Sequence, residues 1–175
     1  DFPGLLEVVQ AESPGLGAPR FAANHLGRNR RGLLANLCHV CGERTDDGDR
    51  WLFPGDSGGF VTMPDRSLLY AANVPPVHRR CGEKAARLCP HLSRRYAQPV
   101  AYPLEEESRV FPRTDIRPGM EAIRSVLPPG RAAVLGCFRL FGPRFSAAVG
   151  RLRPDPAPSV VRRPADPSPG PDPSP

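Results

Sequence analysis

Residues 37–42 read "LCHVCG": two cysteines separated by two residues and closed by a glycine. Downstream, residues 75–91 read "PPVHRRCGEKAARLCPH", where His78 and Cys81 repeat the same spacing. The pattern is C-x2-C, a 36-residue gap, then H-x2-C leading into a helical run. Zinc takes four N or S donors in a tetrahedron, and three thiolates with one imidazole form a common structural set. The short spacing works because a tight turn aims both sulfurs at one point. Gly42 suits that turn, since glycine enters left-handed conformations without a Cβ clash. The expected ligands are therefore Cys38, Cys41, His78 and Cys81, holding a structural Zn2+. Placing Cys81 at a helix start puts its thiolate near the positive end of the helix dipole.

Cys89 competes for a ligand position. It lies eight residues after Cys81, about 12 Å along a continuous helix, which is too far to share an ion. An all-cysteine site would need that helix to break, and a Cys89–His91 pairing would be stiffened by Pro90. The preferred reading pairs His78 with Cys81 and leaves Cys89 as a buried thiol near Leu88. A redox role for Cys38 and Cys41 would call for a thioredoxin-like βαβ pattern, which the sequence lacks. His39 reads as an exposed knuckle residue and His25 as a surface helix residue. Trp51 and Tyr70 read as core of a hairpin.

The 175 residues carry five cysteines, an odd count. In a reducing compartment such clusters bind metal or do chemistry more often than they form disulfides. No apolar run nears the roughly 20 residues that span a bilayer, and no signal segment opens the chain. The expectation is a cytoplasmic protein with no membrane partner. The net charge of +6 is unevenly spread: residues 1–19 sum to −3, residues 20–96 to +6 and the remainder to +3. All basic residues but Lys84 are arginine. That bias suits phosphate or carboxylate recognition, and it also arises from GC-rich coding. Arg28, Arg30, Arg31, Arg79 and Arg80 are the candidate phosphate contacts, with Arg94 and Arg95 near them.

The chain divides at composition shifts. Residues 1–19 form an irregular lead-in rich in Pro and Gly, 20–104 the zinc-binding domain, 105–150 a poorly defined extension, and 151–175 a disordered proline-rich tail. Within 20–104 a helix is expected over about 28–36. Strands are expected in "RWLF", "FVTM" and "SLLYAANV", a helix in "GEKAARL", and a further strand in "YAQPVAYP". In the extension "IRPGMEAIRSVL" suggests a helix, while "AAVLGCFRLF" fits a strand or a short helix. The fold class is a small α+β zinc-binding domain, treble-clef-like: a knuckle, a β-hairpin, then a helix carrying the last ligands.

The stretches "RNRRGLLANLCHVCG", "RWLF" and "PPVHRRCGEKAARLCPHL" resemble a family of small proteins from high-GC Gram-positive bacteria. Its signature is an arginine-rich helix, "LCxVCG", a tryptophan-containing strand and "PPxCxxCAxxAxxxCPHL". The resemblance covers roughly residues 18–102. This sequence departs from it at His78, where the family has cysteine, and at Gly82, where it has alanine. The resemblance implies a zinc-binding domain and no particular activity.

Two function classes follow. A closed four-ligand site argues for a non-enzymatic module that contacts DNA or RNA, or alternatively another protein or a biosynthetic partner. An HNH-type nuclease on a treble clef would need histidines on the hairpin, and residues 42–77 contain none. "GDSGG" at residues 55–59 resembles a serine-protease motif, but the chain is too short for that double-barrel fold, and it reads as a loop.

Overall fold

The computed structural model describes residues 2–10, 25–53, 58–89, 92, 99–103, 108–116 and 121–152. The proline-rich stretch after residue 152, His91, Arg94, Arg95 and most of the lead-in lie outside these. The elements run β1 (Leu6–Glu7), α1 (Leu26–Ala35), a 3-10 turn (Asp47–Asp49), β2 (Trp51–Leu52), β3 (Gly58–Thr62) and β4 (Leu68–Ala72). They continue with α2 (Arg79–Leu88), β5 (Val100–Ala101), β6 (Ser108–Arg113), α3 (Glu121–Val126), β7 (Ala133–Val134), β8 (Gly136–Phe141) and α4 (Pro143–Leu152). This is a small α+β fold.

Its centre is a four-stranded antiparallel sheet in the order β3-β4-β8-β6. The β3–β4 hairpin turns at Met63–Ser67, where Asp65 accepts hydrogen bonds from the Ser67 N–H and hydroxyl. "AAVLGCFRLF" resolves as strand: its alternating burial, with Cys137, Arg139 and Phe141 inward, is the period-2 pattern of a sheet with one covered face. β8 fills the position between β4 and β6, so the sheet continues across residue 104 and the extension is integral to the core. Three elements escaped the sequence reading, the first being β1, which lies in the expected irregular lead-in and pairs with β7. "SRVFPR" hides a strand because Pro112 interrupts it, which the edge position of β6 tolerates. "PRFSAAVGRL" is helix α4, starting at a proline, a residue well suited to a first helical position.

The covered face packs against helices α1 and α4. From α4, Phe145 and Val149 join Tyr70, Ala72 and Phe141 of the sheet, together with Leu52 and Tyr102. The Phe141 and Phe145 rings stack at 4.2 Å, and Tyr102 meets Phe141 edge-on at 5.0 Å. From α1, Leu33 packs on Val134, Cys137 and Val110. His25 caps α1, accepting from the Arg28 N–H, rather than lying on its surface. Gly32 has a packing reason to sit mid-helix: a Cβ there would come within 2.5 Å of the Pro75 ring.

Arg139 is buried on this face, only 7 % exposed. Its guanidinium donates to the Leu33 carbonyl, to Asn36 Oδ1 at 2.7 Å and to Ser108 Oγ at 3.0 Å. It also lies 5.8 Å from the Tyr102 ring centroid. It thus satisfies a carbonyl at the C-terminal end of α1, where a cation is favoured by the helix dipole. Arg139→Met should lower stability by about 2–4 kcal/mol in urea unfolding, because the Leu33 carbonyl and Asn36 amide lose buried partners.

Candidate metal centre

Helix α1 ends in a left-handed Asn36, with φ of 53°, which turns the chain into the first knuckle. The Asn36 carbonyl accepts from the Thr45 N–H at 2.9 Å and its hydroxyl at 2.8 Å. Between these anchors the Cys38 N–H donates to the Glu43 carbonyl and the Gly42 N–H to the Cys38 carbonyl at 2.8 Å. Gly42 takes φ of 82°, the left-handed conformation that the motif calls for. Arg50 clamps the loop's far end, donating to Thr45 Oγ1 and to the Thr45 carbonyl and pairing with Asp47.

The second half-site comes from the start of α2. His78 is its N-cap and Cys81 its third residue, and the Arg79 N–H donates to Asp49 at 2.8 Å. Backbone bonds between Trp51 and Val77, and from the His39 N–H to the Pro76 carbonyl, fasten this segment to the knuckle. Cys38, Phe53 and Val77, with Trp51, Cys81, Ala86 and Leu92, form a small apolar cluster beneath the site, separate from the sheet core. Gly82 is buried against Phe53, and an added Cβ would sit 2.7 Å from that ring.

The donor atoms of Cys38, Cys41, His78 and Cys81 all lie within 4.8 Å of one another, an arrangement that could hold a metal ion. His78 Nδ1 is 3.4 Å from the Cys41 sulfur and 3.9 Å from that of Cys81. Its Nε2 faces the Arg44 carbonyl at 3.1 Å. A proton on Nε2 would donate to that carbonyl and leave Nδ1 as the free lone pair for a metal. Burial would raise the Cys38 thiol, but the N–H groups of Cys41, His78 and Val40 bring it down to about 7. Burial, and next the charge of Cys38, push Cys81 up to about 11. The helix start therefore does not ionise Cys81 in the metal-free chain. Burial opposes protonation of His78, yet the Arg44 carbonyl and the Cys38 thiolate raise it above its usual range.

Helix α2 is unbroken from Arg79 to Leu88, so Cys89 caps its far end, away from the cluster. Cys89 is half-buried, and Leu88 beside it is 73 % exposed, so the expected packing of the two is not found. His39 is exposed. Of the candidate phosphate contacts, Arg28, Arg31, Arg79 and Arg80 are exposed. Arg30 is tied to Glu7, and Arg79 pairs with Glu83 and lies over the Trp51 ring. Sequence reasoning passed over Lys84 and Arg87. With Arg80, and with the carboxylates of Asp49 and Glu83, they line a hollow of about 440 Å³ beside His78 and Cys81. Their i, i+4, i+7 spacing, one helix face, was the signal available.

Comparison of the chain with protein-family models, curated proteins and solved structures gives no match. Fold and site define an α+β protein with a Cys3His cluster able to hold a metal ion. No helix among the described residues is long and apolar enough to cross a membrane.

Replacing Cys38, Cys41 or Cys81 by Ser, or His78 by Ala, should abolish metal binding, while Cys89→Ser should leave metal content unchanged. The local apolar cluster should then lose amide-exchange protection over about residues 37–53 and 75–89, with β3, β4 and β8 retained. Loss of metal in Cys89→Ser but not in His78→Ala would refute the donor set. Metal binding must also displace the Cys81 proton. Affinity measured by chelator competition should therefore rise with pH between about 7 and about 11, and fall more steeply below about 7 as Cys38 protonates too.

Proposed function

We propose that this chain is a zinc-stabilised, non-catalytic binding module that contacts nucleic-acid phosphates through helix α2. The donor chemistry supports zinc: a tetrahedron with Zn–S bonds of about 2.3 Å has edges of about 3.8 Å, and the donors, within 4.8 Å of one another, need only a small contraction to reach it. Four protein donors fill a tetrahedron and leave no position for a reacting water, which suits a structural ion. The order of knuckle, hairpin and helix supports the treble-clef reading, and with it kinship to the small zinc-binding proteins that the sequence resembles. In that reading His78 replaces a cysteine ligand, and Gly82 makes room for Phe53.

The observation that carries the nucleic-acid assignment is the basic face of α2. Arg80, Lys84 and Arg87 are exposed on successive turns beside the zinc site. Arg28 and Arg31 add exposed charge on α1, whereas Arg30 pairs with Glu7 and the exposed Arg79 with Glu83. Cations in a row recognise a phosphate backbone by charge and register, without reading sequence.

Purified protein should contain one zinc per chain by metal analysis. Binding to a short DNA or RNA duplex, followed by fluorescence anisotropy, should weaken steeply with salt. Replacing Arg80, Lys84 and Arg87 together by Gln should lower the salt slope by roughly 0.9 for each phosphate no longer neutralised, for every sequence tested. No binding at low salt with zinc in place would shift the assignment to a protein-interaction module.

A further inference from the structure

The four donors of the cluster are not equally sheltered. Cys38 is buried, only 2 % exposed, whereas Cys41 is exposed and His78 and Cys81 are half-buried. The neighbours of Cys41 are open as well: His39, Val40, Gly42 and Glu43 are all exposed. On the other side of the cluster the hollow beside α2 reaches His78 and Cys81. All four donor atoms lie within 4.8 Å of one another. A sulfur that solvent reaches at Cys41 therefore has a sheltered second sulfur at Cys38, a short side-chain movement away. The turn that carries the pair is already closed, by the Gly42 N–H on the Cys38 carbonyl at 2.8 Å. The other two thiols stand apart. Cys137 is buried against Leu33 and Val134, and Cys89 caps the far end of α2.

We infer that Cys41 is a site of oxidation by hydroperoxides, and that its oxidation closes a Cys38–Cys41 disulfide and expels the metal. The inference rests on the zinc reading above and adds a means of regulation to it. The Cys41 sulfur attacks one oxygen of hydrogen peroxide; the O–O bond breaks, a sulfenic acid forms, and the other oxygen leaves as hydroxide and is protonated to water. The Cys38 sulfur then attacks the Cys41 sulfur; the S–O bond breaks, and the departing hydroxide is likewise protonated to water. The two thiolates lose two electrons, and the peroxide gains both. Burial keeps peroxide from Cys38 but does not keep the neighbouring sulfur from it. Disulfide sulfurs are no longer thiolate donors, so His78 and Cys81 are left as half of a tetrahedron. Nor can the bridge replace the ion, since it joins residue 38 to residue 41 and neither to α2. The start of α2 then keeps only hydrogen bonds to the knuckle, among them those of His39 with Pro76 and of His78 with the Arg44 carbonyl. Oxidation thereby loosens the helix that carries Arg80, Lys84 and Arg87. Thioredoxin-type exchange passes a disulfide on to a partner, whereas here the bridge acts through loss of the ion.

The test treats the full zinc-loaded chain with hydrogen peroxide. A chromogenic chelator follows zinc release, and differential alkylation with mass spectrometry maps the thiols. One zinc should be released for each disulfide formed, the bridge should join Cys38 to Cys41, and Cys89 and Cys137 should remain alkylatable. A thiol reductant with added zinc should restore the metal content. Amide protection over about residues 75–89 should fall on oxidation, while that of β3, β4 and β8 is retained. Cys41→His keeps a zinc-competent donor and removes the attacked sulfur, so it should hold its zinc several-fold longer under the same peroxide. Equal release from this variant and the wild type would overturn the proposal. So would first oxidation at Cys89 or Cys137, or a bridge that includes Cys81, and both are read on the wild type alone. A reduced chain that takes up no zinc would sink the zinc reading and this inference together, whereas a zinc-loaded chain that keeps its ion under peroxide sinks this inference alone.

Discussion

Two chain segments separated by 36 residues deliver three thiols and an imidazole to one point. That convergence is the constraint around which half of the fold is arranged. Brought together without a cation, the donors work against one another: the charge of Cys38 helps to keep the Cys81 proton in place. A bound dication would remove that conflict, and its binding energy would become folding energy for the elements that supply the donors. Those elements need it. The apolar cluster beneath the site is small, and the knuckle is otherwise held by a handful of hydrogen bonds from the backbone, Thr45 and Arg50.

The second source of order is the sheet, and Arg139 joins the two. From β8 its guanidinium reaches the end of α1, where Asn36 turns the chain toward Cys38. Asn36 in turn anchors Thr45, and Thr45 is held by Arg50. A chain of polar contacts thus runs from mid-sheet to the base of the knuckle. Each group in it is worth about 1 kcal/mol when paired and more when orphaned. The metal cluster is thereby oriented against the sheet by hydrogen bonds rather than by a shared apolar core.

The convergence of Cys38, Cys41, His78 and Cys81 was legible because the chemistry of a metal site imposes spacing on sequence, and these four stand at intervals that a turn and a helix start require. Helix α1 and the β3–β4 hairpin were legible from periodicity, and Pro75 supplies the reason for a glycine at position 32. The C-terminal half was not. Strand β6 carries Pro112, and α4 mixes Gly, Ser and Ala into its pattern, so neither resembles its ideal. The partnership of Arg139 with Leu33 spans 106 residues, a separation at which no local pattern speaks. Phe111 and Phe138 likewise become a pair only once the register of β6 on β8 is known.

The position of β8 has a consequence for how the chain is made. It is among the last described strands in sequence, yet it lies between β4 and β6. During synthesis the knuckle, the hairpin and α2 emerge first, and Cys38, Cys41, His78 and Cys81 with them. Until residue 141 has emerged, β4 presents an unpaired edge and the apolar residues on both sides of the hairpin have no cover. Pairings of such long sequence separation form slowly, because their loop entropy must be overcome before contacts compensate for it. The nascent protein therefore passes through a stage in which β3 and β4 stand as an open-edged hairpin, prone to pair with a neighbouring chain.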